Sequence, residues 1–309
     1  MSKARDIADL GAVTSRLDTV GASDGALSNR NLIINGGFDV WQRGTSFTGS
    51  GYTSDRWIIS TGEPATAITK TASRDKRNTL KITFGSVISC NLDQRIEAFG
   101  NVGSNQPVTL SFYVRGSKAT TGDFCRIRNH TTSTTLETLY YDITTSWTKV
   151  TKTFSANSTW AKDDVARLYL FSAQSSAWSS SDYVEFSDVQ LEVGDTATPF
   201  EHRSYGDELQ RCQRYYYEAE LTTAWFNDGY LSTNGFSVQS IPFPVSMRAK
   251  PTATGDMSTN WVTSNVVTQF INSYNNSSGS WQIRASATGR AYSYYNANDG
   301  ATLKFDAEL

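Results

Sequence analysis

Cys125 and His130 stand five residues apart, a thiol and an imidazole of the kinds that can form a nucleophile and its base. No orienting acid accompanies them, and they fall near an expected junction of strand and loop. A structural thiol and a surface imidazole are the expectation. Cys90, Cys125 and Cys212 are odd in number, widely separated and without a Cys-x-x-Cys pair, so neither a disulfide frame nor a zinc site is suggested, and three buried, inert thiols are expected. Glu185, Asp188 and Glu192 are the carboxylates that glycoside hydrolysis would draw on, but that chemistry needs two such groups held across a cleft. Strand alternation puts Glu185 on the solvent face, and no other segment supplies a partner. With no Gly-rich phosphate loop, serine elbow or metal-spaced His/Glu set in the chain, binding rather than catalysis is expected, and the protein is not expected to be an enzyme.

Saccharide binding asks for flat aromatic surfaces with a few polar groups to fix orientation. Tyr52, Arg56 and Trp57 cluster beside Gly-rich turns, together with Trp41. Trp160 and Trp178 sit among Ser, Thr and Asn in what read as loops, where glycan or partner contact is one reading and incidental exposure the other. Trp41, Trp57 and Trp147 also suit a core. Further along, Trp225 and Tyr230, and then Tyr292 to Tyr295 including Tyr294, place aromatics around turn residues. These serve either as an adaptable binding surface or as an interface between chains.

The elements that must position these residues are mostly strands. With 309 residues, 38% hydrophobic, the chain can bury a substantial core and divides into two domains and a tether. A net charge of -2 and 19% charged residues leave no broad basic face, so nucleic acid is not an expected partner. The first twenty residues lack the apolar run of a secretory signal or membrane span, so no membrane insertion is expected and assembly in a cytosol is. Leu10, Val13, Leu17 and Val20 mark a short helical tether in 1–30, either a small coiled coil or a frayed terminus. From Asn31 to about 203 the period is two: Leu80, Ile82 and Phe84; Leu110, Phe112 and Val114; Leu168 and Leu170. Val184 and Phe186 share one phase, Val189 and Leu191 the other, which points to a β-bulge near Ser187-Asp188. Gly36-Gly37 suggests a tight bend or close backbone contact.

The segments Asn31 to Asp39 and Asp188 to Glu201 read as the first and last strands of one jelly-roll β-sandwich spanning 31–203. Ser204 with Asp207 resembles a helix start, and Tyr205, Leu209, Cys212 and Tyr216 then share one helical face. Beyond it, Ile241 to Met247 with its two prolines reads as an edge strand, and Trp281, Ile283 and Ala285, then Leu303, Phe305 and Ala307, read as two more. The fold class is mainly β: a jelly roll, then a linker helix and a second β-rich domain over 204–309.

The opening Asn31 to Trp41 with Gln42-Arg43-Gly44, the stretch Tyr52 to Trp57, Thr109 to Arg115, Trp147 with Phe154, Arg211 to Tyr217 and Phe243 to Pro251 resemble a domain common in virion structural proteins and tail fibres of tailed bacteriophages. The opening is also similar to that of carbohydrate-binding jelly-roll modules attached to glycoside hydrolases. The resemblance implies a virion appendage, assembled in the host cytoplasm, commonly a homotrimer. Its N-terminus would meet other virion proteins, and its outer surface would bind host polysaccharide. A structural decoration protein or a glycan depolymerase is the alternative. No cofactor is required by this reading, although the likeness to the modules implies a structural calcium at Asp39 and Asp188. The chain shows no long heptad shaft and no repeated β-helical turns, so a short appendage is implied.

Overall fold

In the computed structural model the described residues are 30–62, 67–86, 90–103, 106–156, 160–173, 178–220, 226–255, 261–273, 275–295 and 302–309. The expected tether in 1–30 lies outside them, apart from Arg30. The described chain divides into two compact units, one reaching to Asp39 and resuming over Gly44–Arg203, the other combining Val40–Arg43 with Ser204–Leu309. Among the described residues no helix is long and apolar enough to cross a membrane.

The first unit contains β1 (Ser46–Thr48), β2 (Gly51–Tyr52), β3 (Trp57–Thr61), β4 (Ala67–Arg74), β5 (Arg77–Thr83), β6 (Cys90–Ile96), β7 (Val108–Gly116), β8 (Thr120–Asn129), β9 (Thr135–Ile143), β10 (Thr148–Phe154), β11 (Ala166–Ser172) and β12 (Tyr183–Val193). They build two six-stranded antiparallel sheets, a first of order β1-β4-β5-β12-β7-β10 and a second of order β2-β3-β6-β11-β8-β9. The central run β5-β12-β7-β10 packs over β6-β11-β8-β9, which is the jelly-roll arrangement. Alternation supplies the core: Leu80, Ile82, Leu110, Phe112, Val114, Val184 and Phe186 from one sheet meet Trp57, Ile59, Leu92, Cys125, Ile127 and Leu168 from the other, each with at most a trace of exposure.

A column of rings runs through this interior. Phe84 meets Trp178 at 5.0 Å, Trp178 meets Phe171 at 6.1 Å, Phe171 meets Phe186 at 5.6 Å, and Phe112 bridges Phe186 and Tyr141 at 6.1 and 5.2 Å. Such tilted and edge-on pairs add stabilisation beyond their buried area. Simple alternation along β11 would turn Phe171 outward. A register irregularity between Tyr169 and Phe171 turns it into the column instead.

The expected bulge in β12 is present. Ser187 pairs with Tyr113 and Gln190 with Ser111, so Asp188 and Val189 together oppose Phe112, and Asp188 takes a left-handed φ of 51°. The opening segment corrects one expectation: residues 31–39 form no strand. Instead Leu32 donates its N–H to the Leu191 carbonyl at 2.8 Å and Gly36 accepts from Val189 at 2.9 Å, one contact within the shifted register and one just beyond it. Asn31 completes the lacing. Its carboxamide oxygen accepts from Ile33 and Leu191, and its nitrogen donates to the Val189 carbonyl at 3.0 Å. Arg203 closes the other end by donating to the carbonyls of Asn31 and Ile33 at 2.5 and 3.1 Å. Gly36 approaches β12 so closely that a Cβ there would run into the Val189 carbonyl oxygen.

The second unit continues with α1 (Tyr205–Gln213) and β13 (Tyr216–Glu220), β14 (Phe226–Leu231), β15 (Phe236–Pro242), β16 (Thr252–Gly255), β17 (Trp261–Ser264), β18 (Val266–Ser273), β19 (Ser278–Ala285), β20 (Gly289–Tyr295) and β21 (Thr302–Asp306). Ser204 caps α1, accepting from the Asp207 N–H at 3.1 Å as its spacing implies. The helix ends at Gln213, so Tyr216 belongs to β13 and not to the helical face. The strands form three three-stranded sheets, β13-β21-β16, β14-β20-β17 and β15-β19-β18, around Trp281, Ile283, Met247, Leu303 and Phe305. β15 lies at a sheet edge and finishes on Pro242, where a missing donor disturbs least. Arg43 joins this unit, stacked 3.5 Å from the Tyr216 ring centroid and paired with Asp306 and Glu308.

All three cysteines are buried and unbridged, and burial pushes the Cys90 and Cys125 thiols up to about 12. Gly36→Ala is expected to destabilise the first unit by about 3 kcal/mol in urea unfolding, because its clash is with backbone. Gly37→Ala would meet only the movable Asp39 carboxylate, and less than about 1 kcal/mol is expected. Equal losses would contradict the close approach at Gly36.

Candidate functional site

Residues directly opposite in a ladder point to the same face, so register assigns the outer surface of the second sheet. Arg167 of β11 faces Arg95 of β6 on one side and Arg128 of β8 on the other, which sets three guanidinium groups in one row across three strands. The next row runs from Tyr52 to Ile58, Asp93, Tyr169, Arg126 and Thr138. A third places Phe124 opposite Tyr140. Outward positions of four adjacent strands thus carry arginines and rings almost without interruption.

The rings support the guanidinium planes. Arg126 lies 4.6 Å from the Phe124 centroid and 5.7 Å from that of Tyr169, and Arg167 lies 4.6 Å from the Tyr169 centroid. Phe124 meets Tyr140 edge-on at 6.0 Å, and Tyr140 is 62% exposed, which leaves its ring open to a ligand. Like charges opposite one another destabilise a sheet, and a single carboxylate offsets the row. Asp93, fully buried, receives Arg167 through two hydrogen bonds of 2.7 and 2.8 Å. Burial raises the Asp93 pKa against the pull of Arg167, while the bond to Asp93 raises that of Arg167. His130, just beyond β8, has its pKa lowered first by desolvation and then by Arg95 and Arg167. The face can therefore offer planar donor forks, ring edges and a neutral imidazole to a hydroxyl-rich or partly anionic chain.

The residues singled out from sequence separate cleanly. Tyr52 joins the Tyr169 row. Arg56, at 1% exposure and φ 71°, instead donates to the Arg95 carbonyl at 2.7 Å from within the fold. Trp57 is fully buried, tilted against Phe38 at 5.3 Å with its indole N–H on the Asn35 carbonyl. The expectation of loop-exposed Trp160 and Trp178 is corrected. Trp160 packs edge-on to Phe99 at 5.3 Å, and Trp178 enters the ring column while donating to buried Asp123 at 3.1 Å. Among the turn aromatics, Tyr230 is 82% exposed on β14, Tyr294 is placed on β20 with its side chain outside the described residues, and Trp225 lies outside them altogether.

Glu185 is a further correction. It sits on the outer face of the first sheet as alternation requires, yet the Arg115 guanidinium at 3.1 Å and the Ser73 hydroxyl cover it. Asp39 and Asp188 do line one hollow, but Asp188 accepts from Arg74 at 2.6 Å and Arg77 at 2.5 Å, and Asp39 accepts from Asn78 at 2.6 Å. A calcium ion there would have to displace two guanidinium groups, so this donor set does not fit one. Among the described residues no cluster of three or more His, Cys, Asp or Glu is placed to hold a metal.

The arginines of the second sheet were not singled out from sequence. Their signal is the period-two spacing Asp93-x-Arg95, Arg126-x-Arg128 and Arg167-x-Tyr169, in which polar outward positions are charged or aromatic rather than the usual Thr and Ser.

No protein-family model matches the sequence, and no curated protein matches it. Among solved structures the chain is similar to a carbohydrate-binding module of the CBM4 type, at 17% identity and TM-score 0.36 over 52% of this chain and 97% of that one. The CBM22-1 xylan-binding domain from Paenibacillus barcinonensis Xyn10C matches at 17% identity and TM-score 0.34, over 49% of this chain and 94% of that one. The enzymatically active domain of bacteriophage CBA120 tailspike protein 4 matches at 14% identity and TM-score 0.37, over 53% of this chain and 21% of that one.

Two outcomes are expected from this geometry. Trp178→Ala should destabilise the first unit by about 4 kcal/mol in urea unfolding, as loss of a packed ring does; a fully stable variant would place Trp178 outside the core. His130 should titrate by NMR below the usual imidazole range. Because its folded pKa is lowered, the unfolded chain binds the proton more readily, so stability is present above the unfolded value and lost as pH falls through the folded one. His130→Gln should flatten that acid limb, and a raised midpoint would contradict the lowering by burial and by Arg95 and Arg167.

Proposed function

We propose that this chain is a phage virion appendage protein that attaches the particle to host surface glycan through the outer face of the second sheet, without catalysis. The observation that carries the binding site is the in-register surface of Arg95, Arg167 and Arg128 beside Tyr169, Arg126, Phe124 and Tyr140. Guanidinium forks bind paired hydroxyls or carboxylates, and the exposed Tyr140 ring offers a face for sugar C–H groups. Each such contact is weak, and several copies on one particle would multiply them. The virion role rests on the sequence resemblance to tail-fibre and virion proteins.

The non-catalytic part of the reading is supported by how the outward carboxylates are spent. Asp93 is bound by Arg167 and Glu185 by Arg115, so neither stands free as an acid or nucleophile across a cleft. A homotrimer supplies the valency. The exposed Tyr230, Phe236, Val238 and Val267 of the second unit are the apolar groups such an assembly would cover. Other virion proteins would meet the N-terminal tether.

Affinity electrophoresis through gels containing bacterial surface polysaccharides tests the site. A matching polysaccharide should retard the full chain. Tyr140→Ala and Arg126→Gln, both at partly or wholly exposed positions, should weaken that retardation about tenfold each while leaving the urea midpoint unchanged. Retardation that survives both substitutions would remove the second sheet from the reading, and release of reducing ends from the polysaccharide would replace binding with depolymerisation.

A further inference from the structure

The outer face of the first sheet carries a cleft of about 280 Å³ that the second-sheet reading does not use. One wall is the β4–β5 hairpin. Its two-residue turn has Asp75 and Lys76 at φ 48° and 63°, and Arg74 pairs directly with Arg77 across it. The floor is Ser111 and Tyr113 of β7 with Lys149 of β10, and the far wall is Pro199, Phe200 and His202. An adjoining hollow of about 120 Å³ adds Lys76 together with Asp39 and Asn78.

Charge in this cleft is unbalanced. Arg74, Arg77 and Lys149 line it against one carboxylate, Asp188. Two arginines opposed across a hairpin repel, and a fold gains nothing by placing a lysine beside them. Asp188 reaches both arginines because the bulge turns its backbone left-handed. Arg74 is committed: it is 10% exposed, stacked 3.4 Å from the Tyr113 centroid and bound to Asp188. Arg77 is 40% exposed, and the ammonium of exposed Lys149 has no hydrogen-bond or ion-pair partner among the described residues. Phe200 and His202, edge-on at 4.9 Å, supply a ring surface opposite these cations. At ~30 Å³ per water in the liquid, roughly nine waters fill the cleft, the bulk of one pyranose and a substituent rather than a chain.

We propose that this cleft binds a single anionic sugar residue, its carboxylate or phosphate held between Arg77 and Lys149 and its ring against Phe200. The site is separate from the second-sheet face and stands or falls independently of it. Arg74 and Asp188 act as the fixed frame, and Asp188 offsets one of the three cations, which leaves Arg77 and Lys149 to receive the anionic group.

The test is an NMR titration of the full chain with glucuronate, glucose 6-phosphate, glucose and inorganic phosphate. Glucuronate or glucose 6-phosphate should shift the signals of Lys149 and Phe200 saturably, glucose should bind at least tenfold more weakly, and the preference should shrink as NaCl rises. Lys149→Gln lies at an exposed position and should weaken the acidic sugar about tenfold with stability unchanged, whereas Arg77→Gln should weaken it and also lower stability, because it removes one partner of buried Asp188. Arg126→Gln on the second sheet should leave this binding intact, so failure here is separable from failure of the polysaccharide reading. The proposal is overturned if glucose binds as well as its acids, if inorganic phosphate alone binds as tightly as glucose 6-phosphate, if Lys149→Gln binds like the parent, or if none of the four ligands shifts these residues.

Discussion

The buried carboxamide of Asn31 is the constraint on which the first unit depends. It accepts from Ile33 and Leu191 and donates to the Val189 carbonyl, so one side chain joins the opening segment to the β12 bulge and to the strand just beyond it. A buried amide left without those partners costs ~1–3 kcal/mol, and here the loss would also free Leu32 and Gly36 from β12. Arg203, Glu201 and Gln190 repeat the pattern from the other end. Gln190 accepts from the Glu201 N–H at 2.8 Å, and Glu201 in turn accepts from the Asn31 N–H at 2.9 Å. Start and finish of the sandwich are thereby closed on one strand by side-chain amides and a guanidinium instead of a regular ladder.

The consequences reach both outer faces. Because Asp188 and Val189 share one opposing residue, Phe186 and Leu191 both face the core while Asp188 is aimed at Arg74 and Arg77. That places the hairpin over the first sheet, brings Ser73 and Trp147 together, and leaves the cleft beside Lys149. On the second sheet Gln94 reaches inward to bind Ile34 through both its amide atoms, at 2.9 and 2.8 Å. Its neighbours Asp93 and Arg95 must then point outward, where Arg167 and Tyr169 meet them. One inward amide thus fixes the phase of the charged face.

Much of this was legible in the residues. The phase change between Phe186 and Val189 marked the bulge, Gly36 marked the close approach, and Ser204 with Asp207 marked the start of α1. What escaped was set by tertiary context. Residues 31–39 carry the apolar pattern of a strand, yet the N–H groups of Ile33, Ile34 and Asp39 go to side-chain amides in place of a ladder, which no periodicity reveals. Trp178 follows a polar stretch and reads as exposed, but its partners Phe84, Phe171 and Asp123 are distant in sequence. The candidate faces were hidden for a related reason. Arginines alternating along a strand read as an ordinary wet surface until register sets Arg95, Arg167 and Arg128 side by side.

Native-state hydrogen exchange at the Leu32 and Val189 amides tests the central claim most directly. If the Asn31 lacing holds the sandwich closed, both amides should exchange only through global unfolding, at the rate of a core amide such as Phe112. Exchange orders of magnitude faster than Phe112, with the core still protected, would show that the opening segment frays by itself and that the bulge does not depend on it.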